Sequence, residues 1–221
     1  MNLGKLFGEF MMKYFVGNRN PKVIKGKKHI ACIGDSITFG QGIKGKRELT
    51  WEYLLEQKLP NEYQVINFGA SGRTLQDEGD RPYRKDKIYQ YSLDCNADIY
   101  LIMMGTNDAK PFNWNKERFE REYEDFISSY LNLSHKGEVI LMTPPSCFPK
   151  DGIVAFEING VILDQAITKI VKEIAKKYNL RLFDIHTITD NHPEWFVDGV
   201  HPNAEGNKAI ANYIAEQLGD I

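Results

Sequence analysis

From Lys28 onward the chain alternates short, largely apolar runs with longer stretches in which apolar residues recur every three or four positions. The short runs are 29–33, 64–68, 98–104, 138–142 and 181–185. They are rich in Val, Ile, Leu and Phe, are bounded by Gly, Pro or Asn, and read as strands buried on both faces. Helical periodicity covers 50–59, 75–93, 116–134, 156–178 and 203–218. Strand and helix in strict alternation predict right-handed crossovers and therefore a five-stranded parallel sheet inside a three-layer α/β/α sandwich.

The first 28 residues differ. Leu3, Leu6, Phe7, Phe10, Met11, Tyr14 and Phe15 form one apolar stripe at helical spacing, which should end near Gly17. The pattern divides the chain into an amphipathic helix with linker over 1–28 and a single domain over 29–221. The stripe is expected to pack on the domain or on a second copy in a homodimer. Its basic flanks (Lys5, Lys13, Arg19, Lys22, Lys25, Lys27 and Lys28 against Glu9) also fit a membrane surface. It has neither the apolar length of a transmembrane segment nor the cleavage site of a secretory signal, so a cytoplasmic location is expected.

Composition narrows the functional classes. A net charge of −2 with no basic run among aromatics gives no sign of a nucleic-acid partner. Cys32, Cys95 and Cys147 lack C-x-x-C spacing, so no disulfide framework or zinc site is expected. Asp184, His186, Asp190 and His192 are too irregularly spaced for a metal site and read as loop polarity. "GDSITFGQG" carries neither the Walker lysine spacing nor GxGxxG, which disfavours a nucleotide or flavin site.

Ligands of open parallel sheets sit at the carboxyl ends of the strands. The predicted loops there begin with Gly34-Asp35-Ser36, "NFGASGRT" (67–74), "GTND" (105–108) and "TPPSCF" (143–148), and the fifth leads to "DGVHPN" (198–203). This grouping suits acyl transfer. A serine hydroxyl needs a base to take its proton, and a histidine needs a carboxylate to hold its tautomer. Ser36, His201 and Asp198 supply the three. The Ser36 and Gly72 backbone N–H groups and the Asn107 amide supply donors for an oxyanion. Ser36 could alternatively cap the following helix with Asp35 as partner, and Asn107 could be an ordinary turn residue.

"GDSIT", "NxGxSGxT", "GTND" and "DGxHP", in this order and each behind a predicted strand or near the end, resemble the spaced blocks of the SGNH (GDSL-type) hydrolases. The resemblance implies Ser36 as nucleophile, Gly72 and Asn107 as oxyanion donors, His201 as base and Asp198 as third member. It also implies a flavodoxin-like fold, and ester hydrolysis through an acyl-enzyme without cofactor or metal. The GxSxG elbow of the larger α/β-hydrolases is missing around Ser36.

For the substrate, "GTNDAKPFNW" more loosely resembles carbohydrate O-acetylesterases of the family, with lysophospholipase, thioesterase or arylesterase activity and a silent binding module as alternatives. Phe112, Asn113 and Trp114 are candidate contacts for a sugar ring of a small-molecule or oligosaccharide ester, or else core-capping residues. Arg73, Arg81 and Arg84 are candidates for an anionic group such as a sugar carboxylate, or a solvated cluster.

Overall fold

The computed structural model describes residues 16–150 and 152–219. The stripe over Leu3–Phe15, and with it the expected packing or dimer contact, lies outside the described residues. Five strands form one sheet: β1 (Lys28–Gly34), β2 (Tyr63–Gly69), β3 (Ile99–Met103), β4 (Glu138–Met142) and β5 (Arg181–Phe183). Every pairing is parallel and the order is β2-β1-β3-β4-β5. Among the described residues the helices include α1 (Ser36–Phe39), α2 (Trp51–Glu56), α3 (Lys87–Asp94), α4 (Lys116–Leu131), α5 (Thr168–Lys177), α6 (Ile185–Thr189) and α7 (Ala204–Leu218), with 3₁₀ turns and a π turn over Ile162–Ile167.

Strand residues alternate between two cores because successive side chains leave opposite faces of a pleated sheet. Ala31, Ile33, Tyr100, Ile102 and Leu141 meet residues of α3, α4 and α5, including Ile88, Tyr123, Phe126 and Ile170. Ile30, Cys32, Leu101, Met103 and Ile140 meet Trp51 and Leu55 of α2 and Ile210 and Ile214 of α7. The sheet is thus covered on both sides, as continuous apolar runs require.

Two helical expectations change. Over 75–93 only Lys87–Asp94 is α-helical. Gly79 and Pro82 interrupt the pattern, and the Asp108 carboxylate captures the N–H groups of Leu75 and Gln76, both at 2.9 Å. Over 156–178 the helix starts late, because Phe156 and Glu157 both adopt the left-handed conformation, with φ of 59° and 60°. The linker is bound to the domain rather than free of it. Arg19 Nη2 donates to the carbonyls of Asn67 and Gly69, and the Ile88 N–H donates to Gly17 O.

Candidate active site

β1 ends at Gly34, paired with Gly69 on one side and Met103 on the other, and the chain turns directly into α1. A Cβ at Gly34 would lie 2.1 Å from Thr38 Oγ1 and 2.8 Å from Met103 O, so this turn admits only glycine. Asp35 caps α1, its Oδ1 accepting from Ile37 N at 2.9 Å. The cap is therefore Asp35, which leaves the Ser36 hydroxyl at the first helical position free for another partner.

That partner arrives from the far end of the chain. Ser36 Oγ lies 2.9 Å from His201 Nε2, and His201 Nδ1 lies 2.7 Å from Asp198 Oδ2. The other carboxylate oxygen of Asp198 accepts the N–H groups of Val200 and His201 at 3.0 and 2.8 Å. Burial works to raise the Asp198 pKa, but the His201 side chain and these amides bring it below the usual carboxylate range. It stays anionic beside an imidazole that is 3% exposed.

Gly72 and Asn107 reach the same place. Gly72 has φ of 77°, a conformation its loop can hold because glycine has no Cβ. Asn107 Nδ2 spends one proton on Arg73 O at 3.1 Å and directs the other at Asp35 Oδ2 across a long 3.5 Å. The second is weakly held and available to a substrate oxygen. Asp35 is wholly buried, which raises its pKa against hydrogen bonds from Ile37 and Thr106. Asp108 ties the Asn107 turn to the Gly72 loop through Leu75 and Gln76; its burial, outweighing those amides, lifts its pKa to about 6.

Ser36, Gly72, Asn107 and His201 line one cavity of about 220 Å³ with Gln41, Arg81, Thr106, Lys110, Phe156, Ile158 and Val200. The Phe156 ring stands edge-on to the imidazole at 5.0 Å.

The remaining expected contacts lie elsewhere. Phe112 is 59% exposed and belongs to a neighbouring groove with Pro111 and Ile153. Asn113 is buried and consumed internally: Nδ2 donates to Asp80 Oδ1 and Asn107 O, and Oδ1 accepts from Asp80 N. Trp114 packs on Phe119 at 5.5 Å, the core-capping alternative. Arg73 is buried, with Nε 2.5 Å from Asp86 and Nη1 donating to Ser71 O, so it acts as a brace rather than a substrate contact. Asp184 caps α6 and pairs with Lys172 at 2.6 Å, and His192 stacks on Trp195. Of the lining residues the sequence reading missed, Lys110 lies within a recognisable block and Gln41 in a loop without periodicity, while Phe156 and Ile158 fall at the start of the stretch expected to be helical.

A sheet of order 2-1-3-4-5, with a serine, a histidine and an aspartate joined at its strand ends, is the architecture of an SGNH hydrolase. Comparison with known proteins agrees: residues 30–214 match the GDSL-like lipase/acylhydrolase family, a family of carboxylic ester hydrolases, and the chain belongs to it. It is 33% identical over 208 residues to an acetylxylan esterase of Xylanibacter ruminicola, covering 86% of this chain and 42% of that protein. It is 26% identical to a multidomain esterase of Ruminococcus flavefaciens, covering 87% of this chain and 28% of that protein. The chain thus spans less than half the length of these two relatives. Among solved structures, an aryl esterase of M. smegmatis superposes with a TM-score of 0.72 at 22% identity, over 87% of this chain and 98% of that one, a likeness of fold. Among the described residues no helix is long and apolar enough to cross a membrane.

Proposed function

We propose that this chain is a serine carboxylic-ester hydrolase that removes short acyl groups, acetyl above all, from carbohydrate. The relay Ser36–His201–Asp198 inside a cavity carries the reading. Ser36 Oγ attacks the ester carbonyl carbon as His201 Nε2 takes its proton, and Asp198 holds Nδ1–H and stabilises the imidazolium. The developing oxyanion receives the N–H groups of Ser36 and Gly72 and the loosely held Nδ2 proton of Asn107. Collapse breaks the ester C–O bond, and His201 returns the proton to the departing alcohol oxygen. Water, activated by the same imidazole, then hydrolyses the acyl-serine.

Three observations support acetylated sugar as substrate. The cavity is small, about 220 Å³. Phe156, half-exposed beside the base, offers a sugar an apolar face on the side where the alcohol departs. The relative at 33% identity is an acetylxylan esterase. The test is turnover of 4-nitrophenyl acetate, of longer 4-nitrophenyl esters and of acetylated xylo-oligosaccharides by wild type and Ser36→Ala. Wild type should release acetate from the sugars and decline with acyl length, and Ser36→Ala should lose nearly all turnover. Preference for long acyl chains would overturn the acetyl assignment, and an active Ser36→Ala would overturn the nucleophile.

A further inference from the structure

One bank of the cavity is cationic, formed by Arg81 and Lys110. Arg81 lines the cavity together with Ser36, Gly72 and Asn107, and its guanidinium has no hydrogen-bond or ion-pair partner among the described residues. Its backbone is fixed all the same: the Arg81 carbonyl accepts Thr74 N at 2.9 Å, so the residue is held by the loop that carries Gly72. The contrast with its neighbours is informative. Arg73 is paired with Asp86 and Arg84 with Asp77, so of these three arginines only the one facing the cavity lacks a counter-ion among the described residues.

Lys110 lines the same cavity from the Asn107 turn. Its ammonium is 3.4 Å from Asp80, whose other oxygen is already occupied by Asn113 Nδ2 at 2.8 Å. Asp35 lies beneath Ser36, hydrogen-bonded to Ile37 and facing Asn107, while Asp198 is committed to His201. Among the described residues the bank therefore presents an unpaired guanidinium and a partly compensated ammonium. A guanidinium's planar fork matches an oxyacid such as carboxylate through two parallel hydrogen bonds, and such charge-assisted bonds discriminate strongly when partly shielded from water.

Resting on the ester-hydrolase reading above, we infer that Arg81, supported by Lys110, selects an O-acetylated sugar acid, binding the sugar's carboxylate beside the scissile ester. Neither residue is required for the acyl chemistry. They bind the group that distinguishes this substrate from a neutral acetyl sugar.

The experiment measures kcat/KM for an O-acetylated uronic acid glycoside and for its neutral methyl ester, alongside 4-nitrophenyl acetate, with wild type, Arg81→Gln and Arg81→Lys. Wild type should favour the free acid roughly ten- to hundredfold. Arg81→Gln should bring the acid-to-methyl-ester ratio close to one, Arg81→Lys should retain part of it, and added salt should reduce it. Equal rates for acid and methyl ester with wild type, while 4-nitrophenyl acetate is cleaved, would overturn the carboxylate assignment alone. A ratio unaffected by Arg81→Gln would remove Arg81 from it. Failure to cleave any of the three esters would overturn the hydrolase reading as well.

Discussion

Glu52, on α2, is 5% exposed and takes no part in the proposed chemistry, yet it braces the helix that carries Ser36. One of its carboxylate oxygens accepts from Asn67 Nδ2, which also donates to Thr38 O in α1 at 2.6 Å. Its other oxygen, Oε2, has no hydrogen-bond partner. Burial drives the Glu52 pKa from 4.5 to about 7, against hydrogen bonds from its own amide, Thr50 and Asn67 and the charge of Arg19. Between those values the folded protein holds this proton and the unfolded chain has released it. Stability therefore falls as pH rises through the window, the reverse of a salt-bridged carboxylate. At 1.36 kcal/mol for each unit of pKa, the full cost is about 3 kcal/mol, of which about 2.5 kcal/mol develops between about pH 5 and about pH 8. Glu52→Gln keeps an acceptor for Asn67 and cannot ionise. Urea denaturation of both proteins should show the variant gaining on wild type by about 2.5 kcal/mol across that range. The comparison cancels the titration of every other group. A stability difference constant from about pH 5 to about pH 8 would refute the argument, because it would mean that Glu52 carries the same charge in both states.

Further outcomes follow from the site. Asn107→Ala should lower kcat for an acetyl ester by roughly 10²–10³ with little change in KM, since its free Nδ2 proton serves the oxyanion; an equal loss in 1/KM would make Asn107 a ground-state contact. Asp108→Ala strips the buried N–H groups of Leu75 and Gln76 of their acceptor, at a cost of about 2–4 kcal/mol in denaturant unfolding. It should also depress activity, because the Gly72 and Asn107 loops are joined through it. An Asp108→Ala protein as stable as wild type would show that the loops are held by other contacts.

The sheet could be read from the sequence because strands buried on both faces leave no alternation to confuse with a helix, and all five strand spans match within two residues at each end. The Ser36, Asp198 and His201 constellation could be read because topology alone sends strand-end loops to one edge. What escaped was direction within loops. Phe112 and Trp114 are close to Asn107 in sequence, but the 3₁₀ turn at Asn107–Ala109 aims Lys110 at the cavity and carries the aromatics past it. Asn113 resembled a sugar contact, but its amide is spent on Asp80 and Asn107, partners no local pattern reveals. The π turn at Ile162–Ile167 and the left-handed pair at Phe156–Glu157 depend on tertiary packing, and Phe156 could not be placed over His201 without them.

Asp198 and His201 are joined by two hydrogen bonds across only three residues, side chain to ring and side chain to backbone. The base thus comes with its orienting acid already attached, and a short segment can preassemble that half by itself. The hydroxyl it serves lies 165 residues away, and their contact closes most of the chain into a loop. Loop closure of that length belongs to the slow part of folding. Hydrolytic competence should therefore be among the last properties to appear when the denatured chain refolds, and the rate at which activity returns would serve as a clock for the joining of the two ends.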